Sequence, residues 1–162
     1  MRLSEGVEWA AHAAGMLAAV PRGRVMPGAK LAEFLDVPPA YLAKQMQALS
    51  RAGIVETEKG PAGGYRLARA PREITLADIL YAVEGKEPAF RCQDIRLRGP
   101  VSVSKEACKR QCGIAKAFLE AERAFRASLA SVTLVEILQD AAQSYDSRNT
   151  KTMMAWFEDA VR

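Results

Sequence analysis

The stretch Met26–Leu67, MPGAKLAEFLDVPPAYLAKQMQALSRAGIVETEKGPAGGYRL, constrains the fold more than any other part of the chain. A short apolar helix over Lys30–Leu35 is broken at Asp36-Val37-Pro38, and a second helix over Pro39–Ala52 runs to a glycine stop at Gly53. Glycine takes the left-handed C-cap conformation at little cost. Ile54–Thr57 and Tyr65–Leu67 then flank the turn Lys59–Gly64, which holds three glycines and one proline in six residues. Helix, turn, helix and a two-stranded ribbon is the order of a winged helix-turn-helix, a DNA-reading module. The expected fold class is mainly α, with a small β-hairpin wing and a long dimerisation helix.

Charge supports this reading through its distribution rather than its sum. The net charge is +4, but residues 22–72 carry nine Lys/Arg against four Asp/Glu, and residues 133–162 carry three against five. The basic half is the helix-turn-helix half, as contact with a phosphate backbone requires. A solvated basic face with no partner is the competing explanation. The 49% hydrophobic and 26% charged composition is that of a globular protein rather than a disordered chain. Glu5, Glu8 and His12 interrupt the apolar tract near the start, so neither a signal peptide nor a membrane span is expected, and the reading is cytoplasmic.

Ser4 is placed to cap a first helix over Glu5–Val20. At 100° per residue, Val7, Ala10, Ala11, Ala14, Leu17 and Ala18 form its core stripe. Glu8, Trp9, His12 and Met16 fall on the opposite side. A Trp and a Met on a solvent face imply that something covers it, most economically a second subunit. On the helix after the turn, Ala40, Tyr41, Lys44, Gln45 and Gln47 are expected to point outward, where Tyr, Lys and Gln can donate to phosphates and base edges. In the wing tip, Lys59 and the bare backbone around Gly63 can lie against a minor groove or a phosphate row. A plain hairpin with no such contact is the alternative. The tip matches neither GxGxxG nor GxxxxGK[ST], so it is not a nucleotide loop.

A helix opened by Thr75 and closed at Gly85 completes the first domain, residues 1–85. A long loop follows, and the expected cluster-binding segment is 86–112. Residues 113–142 hold the dimerisation helices, where Ile114, Phe118, Ala121, Phe125 and Ser128/Leu129 recur at the spacing of a coiled-coil-like seam. An intramolecular core helix is the competing assignment for that pattern. Residues 143–162 form a tail, polar and then amphipathic, whose packing the sequence leaves open.

Three cysteines make a disulfide framework a poor reading and metal or redox chemistry a better one. Fifteen residues separate Cys92 from Cys108, and three separate Cys108 from Cys112. A structural zinc site would show two short cysteine pairs, or one pair and two histidines. Here His12 is the only histidine. Glu8 precedes it by one helical turn, so the two side chains project from one face. Glu8, His12, Cys108 and Cys112 would supply the four ligands that a [2Fe–2S] cluster needs, if α-helix and cysteines met across a dimer. An ordinary Glu–His helix pair with reactive but unligated cysteines is the competing reading, and spacing alone favours it.

The segments MRLSEGVEWAAH, LAEFLDVPPAYLAKQMQALSRAGIV, GPAGGYRL and ITLADILYAVEG, with the cysteines before a long helix, resemble the winged-helix iron–sulfur transcriptional repressors of the IscR, NsrR and RsrR kinds. Glu8-Trp9 and His12 with the later cysteine pair are most similar to the redox-sensing RsrR type. The resemblance implies a homodimer reading a palindromic double-stranded operator, with no membrane partner. It implies a [2Fe–2S] cluster held by Glu8 and His12 of one subunit and Cys108 and Cys112 of the other, with Trp9 as the switch residue. Cys92 departs from the family's more even cysteine spacing and stands as a possible further ligand. By family position, Ala40, Tyr41, Lys44, Lys59 and Gly63 would contact DNA. The expected function is a transcriptional repressor switched by the redox state or presence of the cluster. A cluster-free regulator that senses oxidants through a Cys108–Cys112 disulfide is the alternative. A metal-dependent enzyme or electron carrier is a remote one, because no base–nucleophile pair or phosphate loop is present.

Overall fold

Chain breaks marked by proline and glycine in the sequence are where the helices end. The computed structural model describes residues 3–98, 100, 104, 106, 110–144 and 146–162. Its elements are α1 (Glu5–Ala18), α2 (Gly28–Leu35), α3 (Pro39–Arg51), β1 (Val55–Glu58), β2 (Gly64–Leu67), α4 (Leu76–Glu84), α5 (Gly113–Ala130), α6 (Leu134–Ser144) and α7 (Ser147–Ala160). Asp36 ends α2 in the left-handed conformation (φ 50°), and Pro39 sits in the first turn of α3. Gly53, at φ 67°, turns the chain from α3 into the hairpin. The sheet is antiparallel, with Glu56 opposite Arg66 and Thr57 opposite Tyr65. This is the helical, winged architecture expected.

The chain up to Gly85, joined by Leu129–Arg162, forms one compact unit, and Lys86–Ser128 forms a second. Within the first unit, Leu17, Leu31, Leu42, Met46, Leu49, Ile54, Ile74, Ile79 and Leu134 are fully buried around α1. Each such side chain contributes about 1.5–3 kcal/mol by leaving water, so the helix-turn-helix is held from within. A two-stranded hairpin is marginal alone. Here Met26 extends the sheet by pairing with Tyr65 through both backbone bonds, at 2.9 and 2.8 Å. The capping box of α4 forms as read, Thr75 accepting from the Asp78 amide and donating, with its own amide, to the Asp78 carboxylate. Thr133 and Glu136 do the same for α6, and Thr75 bridges Thr133 so that α4 and α6 start side by side.

Two readings of α1 are corrected. Ser4 does not cap the helix with its side chain. Its hydroxyl and amide donate instead to Glu84 at the end of α4. Met16, assigned to an exposed face, is buried, and Trp9 is half-buried against the same core. The apolar arc of α1 is wider than the 100° wheel drew it, because α3 and α4 both pack on it. Those two residues therefore need no second subunit to cover them. The tail also resolves: α7 lies on α2, where Phe34 meets Trp156 at 4.8 Å and Phe157 at 6.3 Å between ring centroids.

In the second unit, α5 binds the chain that precedes it. The Glu122 carboxylate accepts from the Ala89 amide and from Arg126, and Arg126 donates to the Lys86 and Glu87 carbonyls. Phe90 stacks on Phe118. Burial pushes the Glu122 carboxyl up, but the Ala89 amide and the Arg126 guanidinium outweigh it and hold the group below the ordinary carboxylate range. A carboxylate whose folded pKa is depressed stabilises the fold above its ordinary pKa and loses that contribution as pH falls through the folded value. Acidification below about pH 4.5 is therefore expected to loosen Lys86–Phe90 from α5. Glu122→Gln should reproduce that loosening at neutral pH, read as faster amide exchange at Ala89 and a lower unfolding midpoint.

Candidate functional site

The outward row of α3 is built by what its other face must bury. Leu42, Met46 and Leu49 point into the core, which leaves Ala40, Tyr41, Lys44 and Gln47 exposed. Gln45 does not join them. It is buried, and its amide fills the space beside Gly6 of α1, where a Cβ would stand 2.7 Å from Gln45 Nε2. The helical wheel placed Gln45 beside Lys44, but α1 covers that edge. Arg51, passed over in the sequence, is exposed four residues after Gln47 and continues the row. The signal for it was the same i, i+3, i+4 spacing.

At the wing, Lys59 is exposed, while Arg66 is spent within the hairpin on Glu56 at 2.9 Å and Glu58 at 2.7 Å. Those two carboxylates hold the Arg66 guanidinium above its ordinary pKa, Glu58 the more strongly. Gly63 is half-buried, and a Cβ there would stand 2.2 Å from the Glu58 carbonyl oxygen. The turn itself therefore demands glycine, whatever touches the tip.

Glu8 and His12 are both exposed on α1, one turn apart. His12 also lines a largely apolar cleft of about 940 Å³ between α1, α2, α6 and α7, with Met16, Leu134, Met153 and Phe157 on its walls. Trp9 lies between these two residues and turns toward α3, its ring edge-to-face with Tyr41 at 6.2 Å. The helix that carries Glu8 and His12 thus touches α3 at Gly6 and at Trp9.

Cys112 immediately precedes α5, with the free amides of that helix end over its sulfur. Hydrogen bonds from the Ala115 and Ile114 amides hold its thiol below the ordinary value, with a smaller push from the Arg96 charge. Thiolate is the form that ligates metal and attacks oxidants. Cys92 is exposed and its thiol faces Asp94 at 3.6 Å. Cys108 lies outside the described residues. Among the described residues, no three His, Cys, Asp or Glu side chains gather as a metal site. The donor types suit a cluster: a thiol whose pKa is lowered at a helix start, and an exposed carboxylate and imidazole one turn apart on α1. On α5, Ile114 and Phe118 of the expected seam are 64% and 55% exposed, while Ala115 and Glu122 take the packed side.

The sequence profile of the Rrf2 family, described as an iron-dependent transcriptional regulator, matches residues 3–140. This chain belongs to the Rrf2 family. YffB of Lactococcus lactis subsp. lactis, described as an HTH-type transcriptional regulator, is 30% identical over 146 residues, 90% of this chain and 92% of its own. Among solved structures, CymR, the global cysteine regulator of B. subtilis, aligns with a TM-score of 0.68 at 19% identity, covering 86% of this chain and 97% of that one. T. potens IscR aligns with a TM-score of 0.64 at 23% identity, covering 91% and 95%. The Rrf2 protein described here is a DNA-binding winged-helix transcriptional regulator and not an enzyme. No helix among its described residues is long and apolar enough to cross a membrane.

Proposed function

We propose that this Rrf2 regulator works as a homodimer on a palindromic operator, and that a [2Fe–2S] cluster of the RsrR kind sets its DNA affinity. Glu8 and His12 of one copy and Cys108 and Cys112 of the other would hold the cluster. The cluster, when bound, supplies a charge that changes by one electron, and imidazole ligation raises its potential. The observation that carries the reading is the double duty of α1: Glu8 and His12 stand on it, and its Gly6 and Trp9 touch Gln45 and Tyr41 of α3. A pull on the Glu8–His12 pair moves the backbone on which the DNA-reading helix rests. Ala40, Tyr41, Lys44 and Gln47 read the major groove, with Arg51 beside them, and Lys59 and the Gly63 turn lie on the phosphates. Half-sites should sit about 34 Å apart, one turn of DNA, or a multiple of it. The exposed Ile114 and Phe118 and the apolar cleft beside His12 are the surfaces that a second copy would cover.

A second reading rests on the stabilised Cys112 thiolate alone: a cluster-free sensor in which Cys108 and Cys112 close a reversible disulfide. The two separate cleanly. Visible spectra of anaerobically purified protein before and after dithionite are expected to show a bleaching cluster band. DNA retardation run on both samples, with DNA enriched by the protein from a random-sequence pool, should differ between them. Absence of iron and sulfide, with binding that follows thiol oxidation, would leave the second reading standing instead.

A further inference from the structure

The helix α7 and the two residues after it reach the wing. Val25 and Arg162 pair through both backbone bonds, Val25 N to Arg162 O at 2.8 Å and Arg162 N to Val25 O at 2.9 Å. Neighbouring residues of an extended segment present their backbone groups to opposite edges. Met26 therefore pairs with Tyr65 of β2 on one edge while Val25 pairs with Arg162 on the other. The wing sheet continues through Val25–Met26 to Arg162. The Arg162 guanidinium then crosses to the wing turn and donates to the Pro61 carbonyl at 2.6 Å, and Arg24 donates to the Val161 carbonyl at 3.0 Å. About one turn before that end, α7 is anchored by Trp156 and Phe157 on Phe34 of α2. The family match ends at residue 140, so α7 lies outside it.

We infer that Arg162 is a positioning residue for DNA binding: it ties the wing turn to α7 and so sets the wing against α3 before DNA arrives. A charge-assisted bond to a carbonyl is stronger and more directional than a neutral one. The turn it holds, Gly60–Gly63, closes on itself through one bond at 2.9 Å. A wing already in place loses less conformational freedom on binding, which raises affinity without adding a DNA contact. The inference needs DNA binding but no cluster, so it stands or falls apart from the redox reading.

The full chain carrying Arg162→Ala is compared with the unaltered chain and with Arg162→Lys, which keeps a cationic donor. The probe is a double-stranded DNA fragment enriched by the unaltered chain from a random-sequence pool. Arg162→Ala is expected to bind about tenfold more weakly, the change that ~1.4 kcal/mol produces, with Arg162→Lys recovering most of the loss. Amide exchange at Gly63 and Tyr65 should speed up in the alanine variant, and the slope of log affinity against log salt should stay unchanged. Unchanged affinity or unchanged exchange overturns the inference. So does a slope reduced by about one, which would make Arg162 a phosphate contact.

Discussion

Replacing His12 or Cys112 with alanine is expected to reduce the visible absorption of the anaerobic protein to background, or to shift it to that of a different ligand set. In the proposed arrangement the two residues come from helices far apart in sequence, and each is suited for its own reason. The Ala115 and Ile114 amides hold the Cys112 thiol below its ordinary pKa, which favours the thiolate that ligates metal. His12 is exposed on α1 with Glu8 one turn away, so a single helix face presents both an oxygen and a nitrogen donor. Cys92→Ala is the control, expected to keep the absorption, because Cys92 is exposed with its thiol turned to Asp94. Iron content should fall in parallel with absorption. Unaltered spectra in both His12→Ala and Cys112→Ala would sink the ligand assignment. Loss in Cys92→Ala would move the thiol ligands to a different pair.

The helix-turn-helix was legible because its punctuation is local. A proline after Val37, glycines at 53, 60, 63 and 64, and Thr75 with Asp78 each act on their own few residues, and every one of those boundaries falls within a residue or two of where the structure puts it. What could not be read depended on which neighbour arrives. Gln45 is polar and sits on an arc shared with Lys44, yet α1 presents a glycine there and the side chain is buried. Met16 looks outward on a wheel drawn for one packing partner, and α1 has several. The tail held an amphipathic pattern with Trp156 and Phe157, but nothing in that pattern named Phe34 as its seat. The site divides the same way. That Glu8 and His12 share a helix face follows from their spacing, whereas the helix start aimed at the Cys112 sulfur follows only from the fold. Resemblance suggested Trp9 as a switch, and only the geometry supplied what it touches.

That contact yields the second large effect. Trp9→Ala is expected to leave the cluster absorption intact and to erase most of the difference in DNA affinity between oxidised and reduced protein. Couplings between sites of this kind are typically about 5–150-fold. An edge-to-face aromatic pair is worth ~0.5–1.5 kcal/mol beyond its buried area, which converts to about two- to twelvefold. The Trp9–Tyr41 pair can therefore carry a switch of about tenfold by itself. A larger switch must also run through other contacts of α1 with α3, of which Gly6 against Gln45 is the tightest described. The sizes discriminate: if Trp9→Ala leaves a residual redox effect, Gln45→Ala in the same background should remove it. Trp9→Phe keeps a ring edge near Tyr41 and should retain part of the response, which a general loss of packing would not predict. Both redox states of each variant are titrated with the same enriched DNA fragment, with thermal unfolding measured alongside. A full redox response in the folded protein carrying both Trp9→Ala and Gln45→Ala rules out α1 as the element through which the proposed cluster reaches α3.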